Sequence, residues 1–333
     1  MTHPSREFPV DTAGRYSSCE HYVNTVGKLT SALSYQNRIN PFHTLDITFD
    51  FEDGATGESF EAVANAITSP LNKRKRVGIR IPNEHENWGL VLSEMIRLTK
   101  TQIAYVAIPK AENADHIKMV DNYIRGLNQA HGQRFKYTPI HAIIETGYGL
   151  ENASEIADLY CVRSLGFGIL DYVADFDGAI PMRYSRSPGQ WEHEVINAAK
   201  VKIVQAAAAS CIPAVHNPTL EIDSDLIYND ALAARERYGF TSQYSIHLDQ
   251  IKPIRQAMYE FNTHRMVDVR DAGKVLLLGY ENDWKPTRVD GILQGRPSYR
   301  HYWKILKSAY EHGIPIDKEA ERTFFNTGPK EGE

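Results

Sequence analysis

The chain has 333 residues, 42% of them hydrophobic and 24% charged, enough for one large domain or two modest ones of ordinary soluble composition. A net charge of −5 excludes a general attraction to nucleic acid. Cys19, Cys161 and Cys211 are odd in number, widely spaced and form no CxxC, which argues against a disulfide framework or a zinc knuckle.

"MTHPSREFPV" lacks the charged-then-apolar order of a signal peptide, and "IVQAAAASCIPAV" is too short and too Ala-rich to span a bilayer. A reducing, cytoplasmic setting is expected, with no membrane partner. In chain order, "HYVNTV" (21–26) gives a weak strand signal and "LDITF" (45–49) a firm one. The latter runs into "DFEDG", which puts Asp50, Glu52 and Asp53 at a strand end. The basic run Lys73–Arg76 could be an anion patch. It precedes strand "VGIRI" (77–81), however, and so falls at the end opposite the strand's C-terminal mouth, where a solvated turn is the simpler reading.

Helix "GLVLSEMIRLTKT" follows, then strand "IAYVAI" (103–108) ending at Pro109-Lys110, then helix "ADHIKMVDNYIRGLNQAHG". Strand "IHAII" (140–144) ends at Glu145, and "SLGFG" (164–168) is followed by Asp171. Helix "HEVINAAKVKIVQAAAAS" leads to strand "IPAV" (212–215) with His216-Asn217. Helix "SDLIYNDALAARERYGF" opens on Ser and Asp and ends near Gly239, as capped helices do. Strand "YSIH" (244–247) carries His247, with Gln250 beyond it. Strands alternating with helices imply a parallel sheet, and this many repeats imply an α/β fold of the (β/α)8 TIM barrel type. A doubly wound open sheet is the runner-up, weakened by the absence of GxGxxG after the first strand. The barrel is expected over 1–268 as the catalytic domain. Residues 269–333, rich in aromatics, glycine and charge, read as a C-terminal loop-and-helix extension serving as lid or subunit contact.

Barrel active sites lie at the C-terminal strand ends. Glu145 and Asp171 follow consecutive strands, which lie about 4.8 Å apart. Two carboxylates so close repel unless a cation such as Mg2+ sits between them. Two independent acids at helix starts would satisfy the same spacing, so both readings stand at this point. Arg80 inside an apolar strand needs a partner. It can pair with Glu52 or Asp53, or hold a substrate carboxylate with its planar fork. Lys110 could form a Schiff base, but a salt bridge with Glu112 or the "DFED" acids is the commoner arrangement. His216 and His247 are expected as structural hydrogen-bonders. Trp88, Trp191, Trp284 and Trp303 are expected as packing residues.

The stretches "DITFDFEDGA", "VGIRIPN", "YVAIPKAEN", "IHAIIETGYGLENASEIA", "LGFGILDYVADFD" and "RYGFTSQYSIHLDQI" occur in the order found in a known family. Over about residues 45–260 the chain resembles the HpcH/HpaI aldolase and citrate lyase beta-subunit family of the pyruvate/phosphoenolpyruvate barrel superfamily. The resemblance implies a TIM barrel assembling as a homotrimer or a dimer of trimers. It implies Mg2+ held by Glu145 and Asp171, Arg80 on the carboxylate of a 2-oxo acid, and Glu52 and Asp53 supporting the arginine and the metal waters. The candidate catalytic set is therefore Arg80, Glu52 and Asp53, and the candidate substrate-binding cations are Arg80 and Lys110. The implied reaction makes or breaks a carbon–carbon bond beside a carbonyl, often in a coenzyme A thioester.

Three departures bear on that activity. "EHYVNTVGKL" does not match the family's opening "SxLFVPG", and "GATGESFEAVANAI" lacks the lysine that follows the acidic motif. The C-terminal "DGxMxDxP" appears as "DGILQGRP", so Gly295 aligns with an aspartate that thioester-cleaving relatives use, leaving Asp290 and Asp283 as possible substitutes. These changes weigh against a coenzyme A substrate. The expected function is a Mg2+-dependent lyase on a small hydroxy or oxo acid. The alternative is a non-catalytic or regulatory relative that binds a small 2-oxo acid through Mg2+.

Overall fold

Eight short strands, separated by helices, pair side by side in chain order. They are β1 Cys19–Val23, β2 Asp46–Asp50, β3 Val77–Arg80, β4 Val106–Ile108, β5 Ile140–Ile144, β6 Val162–Phe167, β7 Ala214–His216 and β8 Ser242–Ser245. The eight close into a parallel barrel, with β8 pairing back onto β1. The computed structural model describes residues 3–7, 17–39, 44–52, 57–133, 136–258, 263–311 and 314–326. Contacts group the chain into two units, Tyr16–Tyr259 and Met1–Arg15 with Glu260–Glu333.

Several helices between strands start where a side chain accepts an orphan backbone N–H. Asn113 caps Ala114–Ala130 through His116 N at 2.9 Å, and Asp223 caps Ser224–Ala233 through Leu226 N at 2.8 Å. That last helix continues as a wider turn over Ala234–Tyr238 and stops at Gly239, whose φ of 93° suits glycine. Along each strand, alternate residues face the helices. Ile47, Phe49, Ile79, Ile144 and Leu165 are fully buried in that outer layer, each contributing roughly 1.5–3 kcal/mol.

The opposite faces point inward, and here the barrel is polar rather than filled with branched apolar residues. Thr48 donates to Glu20 at 2.6 Å and meets the Tyr105 hydroxyl at 2.6 Å. His141 Nδ1 contacts Ser164 Oγ at 2.6 Å. Such groups are tolerable in a dry interior because they pair with one another. β5 and β6 match Ile140 with Val162 but His141 with Ser164, so Arg163 is one residue extra, a bulge. Its guanidinium lies 3.8 Å over the Tyr105 ring and shares Asp46 with Arg76. Burial opposes ionisation of Asp46, yet the two arginines outweigh it and hold the carboxyl below its usual range. The basic run before β3 is thus split in function: Lys73 and Lys75 are exposed, while Arg74 and Arg76 are pinned to the Ile39 carbonyl and to Asp46.

The C-terminal segment is more regular than a loop-and-helix extension. Helices Thr263–Glu281, Arg296–Glu311 and Lys318–Phe324 surround a hairpin of β9 Thr287–Val289 and β10 Ile292–Gln294. Its aromatics and glycines suggested loops, but Trp284, Tyr299, Trp303 and Phe324 make a core of their own. Asp290 and Gly291, with φ of 50° and 80°, form the two-residue turn that joins the hairpin. No helix among the described residues is long and apolar enough to cross a membrane.

Candidate active site

Glu145 directly follows β5 on the parity of His141, so its side chain enters the barrel mouth. It is buried, and its Oε1 accepts the Lys110 backbone N–H at 2.7 Å. Lys110 presents that N–H from a left-handed conformation, φ 43°, which costs a non-glycine residue on the order of 1–2 kcal/mol. On the next strand, Gly168 gives the carboxylate room. A Cβ there would lie 2.1 Å from Glu145 Oε2 and 2.6 Å from its Cβ. Gly168→Ala is therefore expected to displace the Glu145 carboxylate and to lower stability by about 1–3 kcal/mol, as overpacking does. Denaturant unfolding measures this, and an unchanged midpoint would mean the carboxylate can step aside freely.

Asp171 is at the start of the helix Ile169–Ala174, and its Oδ1 is 3.4 Å from the Lys110 ammonium. The sequence suggested Glu112 or the acids after β2 as partners for Lys110; the barrel instead brings it to Asp171. Burial pulls the Lys110 ammonium down, but the charges of Asp171 and Glu52 outweigh it and keep the pKa above its usual value. That is the opposite of what a Schiff-base lysine requires. Glu145 is pushed up to about 8, first by burial and then by the Asp171 charge. The two acids feel each other electrostatically within one pocket.

Arg80 ends β3 beside Asp50 at the end of β2. Its Nε and Nη2 donate to the two Asp50 oxygens at 2.7 and 2.6 Å, and Nη1 is 2.7 Å from Glu52 Oε2. Burial would strip its charge, but these acids more than compensate and hold the guanidinium ionised. The fork is thus spent on Asp50, a strand-end acid that the sequence placed here but did not pair with Arg80. Asp53 lies outside the described residues.

Arg80, Glu145 and Asp171 line a cavity of about 200 Å³ together with Tyr22, Tyr244 and an apolar wall that includes Phe167, Leu170, Leu220 and Ile246. That is below the ~300–1,000 Å³ of drug-sized pockets and suits a small ligand. Gln250 braces the apolar side, accepting from the Ile246 and His247 N–H groups and donating to the Thr219 and Glu221 carbonyls. Tyr22 and Tyr244 escaped the sequence reading. The available signal was parity along β1 and β8, which has meaning only once the barrel's inward face is known.

Outside the pocket, His216 is buried and stacks on Trp191 at 5.2 Å, and neither ring nitrogen has a hydrogen-bond partner among the described residues. It packs against Trp191 and Phe240. His247 is exposed and accepts from Asp249 N at 3.3 Å. Trp88, Trp284 and Trp303 are buried packing residues. Gly295 opens the helix Arg296–Glu311, its N–H bonded to Ser298 Oγ at 2.8 Å. Asp290 pairs with Lys274 at 2.5 Å in its hairpin turn.

A parallel eight-stranded barrel with acids and an arginine gathered at its mouth defines a TIM-barrel protein. The chain belongs to the HpcH/HpaI aldolase/citrate lyase family, whose model matches residues 42–244. It is 30% identical to a citrate lyase from Burkholderia xenovorans LB400, with a TM-score of 0.86 over 97% of this chain and 99% of that one. It is 26% identical to citrate lyase subunit beta of Haemophilus influenzae over 212 residues, 62% of this chain and 69% of that protein. CitE from Mycobacterium tuberculosis, crystallised with magnesium, acetoacetate and coenzyme A, shares the fold at a TM-score of 0.65 and 21% identity, over 88% of this chain and 98% of that one.

Proposed function

We propose that the chain is a Mg2+-dependent carbon–carbon lyase acting on a small hydroxy or oxo acid. One observation carries this: Glu145 is buried in the same pocket as Asp171, and burial, then the Asp171 charge, raises its carboxyl to about 8. Mg2+ suits such a pair, because it takes one or two carboxylates and keeps its other positions for water and substrate. No group of three or more His, Cys, Asp or Glu is placed to hold a metal among the described residues. The cradle that Gly168 leaves around Glu145 supports the same assignment.

In this proposal Glu145 and Asp171 hold the ion, which when bound would polarise a substrate carbonyl and stabilise negative charge developing beside it. Lys110 fixes Glu145 through its backbone and neutralises part of Asp171 through its side chain. Arg80, with Asp50 and Glu52 around it, offers a rigid cation to a substrate carboxylate, and the apolar wall excludes water from the breaking bond. Magnesium with pyruvate, and magnesium with acetoacetate, in CitE from Mycobacterium tuberculosis support a small oxo acid as ligand. Assembly as a trimer or hexamer belongs to the same proposal. The missing aspartate at Gly295 favours a free acid over a coenzyme A thioester.

The test is turnover of a panel of hydroxy and oxo acids, free and as thioesters, with and without Mg2+. Mg2+-dependent cleavage of a free acid is the expected result. Mg2+-dependent oxo-acid binding with no cleavage across the panel would overturn the lyase and favour a regulatory relative. Efficient thioester cleavage would overturn the free-acid substrate.

A further inference from the structure

Tyr244 enters the cavity from β8, and no part of the preceding mechanism uses it. Its hydroxyl makes a short hydrogen bond with His141 Nε2, on β5, across the barrel interior. The other ring nitrogen, His141 Nδ1, faces Ser164 Oγ at 2.6 Å. With Nδ1–H donating to Ser164, Nε2 is a lone-pair acceptor for the Tyr244 proton. The second neighbour of Nε2 is Glu20 Oε2, at 3.8 Å. Glu20 is held in place through its other oxygen, which accepts from Thr48 at 2.6 Å. A carboxylate therefore waits beside the nitrogen that would become positive.

The packing around this contact is built for it. A Cβ on Gly166 would lie 1.7 Å from the Tyr244 hydroxyl and 2.9 Å from His141 Nε2. Glycine at that position is what lets the hydroxyl and the imidazole meet. All three members are buried, with His141 fully enclosed and Tyr244 5% exposed at the cavity. Burial favours the neutral imidazole, and the Glu20 charge favours the protonated one. A base of this kind is neutral at rest and has a ready partner once it takes a proton.

We propose that Tyr244 is a catalytic residue of this pocket that passes a proton between substrate and His141, with Glu20 stabilising the imidazolium; this rests on the lyase assignment above. In cleavage, the substrate hydroxyl gives its proton to the Tyr244 oxygen as the Tyr244 proton moves to His141 Nε2. The hydroxyl oxygen's electron pair becomes the new carbonyl bond. The carbon–carbon bond breaks, and its electron pair becomes the enolate of the departing oxo acid. The proton on His141 then returns through Tyr244 to the enolate carbon, so each group ends as it began. The relay supplies the proton transfer that the glycine at position 295 cannot.

Pyruvate is a probe that isolates this step, since removal and return of a methyl proton in D2O is read by NMR as loss of the methyl signal. The comparison is wild type, Tyr244→Phe and His141→Gln, each with Mg2+, with pyruvate binding measured in parallel by calorimetry. Phe removes only the hydroxyl; Gln keeps a hydrogen-bonding group but cannot take up a proton. The expected result is Mg2+-dependent pyruvate binding within a few-fold of wild type in both variants, with exchange slowed by about 10²–10⁴-fold, the usual range for a lost acid–base group. Exchange that persists at the wild-type rate in Tyr244→Phe overturns the relay alone. Loss of binding together with exchange in both variants overturns it in favour of a structural role. Pyruvate binding without exchange in the wild-type protein overturns the lyase assignment and the relay with it.

Discussion

Replacing Glu145 by Gln is expected to stabilise the metal-free protein at pH 8 and to remove its Mg2+ binding. The Glu145 carboxyl titrates at about 8 in the fold against an ordinary value of 4.5. The folded state therefore holds a proton that the unfolded chain releases between those limits. Stability from this group is fully present below about pH 4.5 and is lost as pH rises through about 8. At about 1.4 kcal/mol per pH unit, the loss is on the order of 5 kcal/mol across the window. Gln cannot ionise, keeps an oxygen for the Lys110 N–H, and should flatten the profile. Unfolding midpoints from pH 5 to pH 9 for both proteins measure this, and parallel profiles would sink it. Mg2+ should reverse the alkaline loss in the wild type by binding only the folded state. Outer-shell changes cost ~10–100-fold in metal affinity, so loss of a direct ligand should cost at least ~100-fold by calorimetry. Unchanged affinity in Glu145→Gln would remove it from the metal site.

The second large effect is expected at Arg80. Arg80→Met leaves Asp50 and Glu52 facing each other without the cation they share, at side-chain exposures of 10% and 12%. Breaking a buried pair by removing one partner typically costs about 3–5 kcal/mol. Denaturant unfolding should show a loss of that size, and Mg2+-dependent pyruvate binding should disappear with it. Arg80→Met combined with Asp50→Asn removes one stranded charge and should recover part of the stability but none of the binding. If the single variant is as stable as wild type, the ion-pair cluster is not holding β2 to β3. If pyruvate still binds, Arg80 has no part in the ligand site.

The six central strands could be read from the sequence as apolar runs recurring at βα spacing, whereas polar β1 gave only a weak signal at 21–26 and polar β8, expected at 244–247, lies at Ser242–Ser245. Glu145 could be found for a related reason, since an acid directly after a buried strand is conspicuous, and Asp171 drew notice as the acid in the first turn beyond the next strand. The pairing of Asp50 with Arg80 could not be found this way, and neither could Tyr22, Tyr244 and His141. Their importance comes from facing inward, and a period of two does not say which parity faces in until the barrel closes. Tyr244 and His141 are 103 residues apart and meet only across that closed interior. The partner of Lys110 was missed because proximity in sequence favoured Glu112, whereas strand order delivers Asp171. In the C-terminal unit, aromatics and glycine suggested loops. Those aromatics are a core, and one of the glycines is a hairpin turn.

The extra residue at Arg163 sets the phase of everything after it on β6. Beyond the bulge, Ser164, Gly166 and Gly168 face the interior, and Leu165 faces the helices. A one-residue slip of the pairing beyond Ser164 would reverse that order along the strand. Leu165 would then be brought against His141, and a side chain would enter the space reserved for Glu145. Loops elsewhere can lengthen or shorten at an entropic cost that grows only logarithmically. Here, chain length is counted to the residue, and descendants of this sequence can exchange side chains on β6 far more readily than they can change its length.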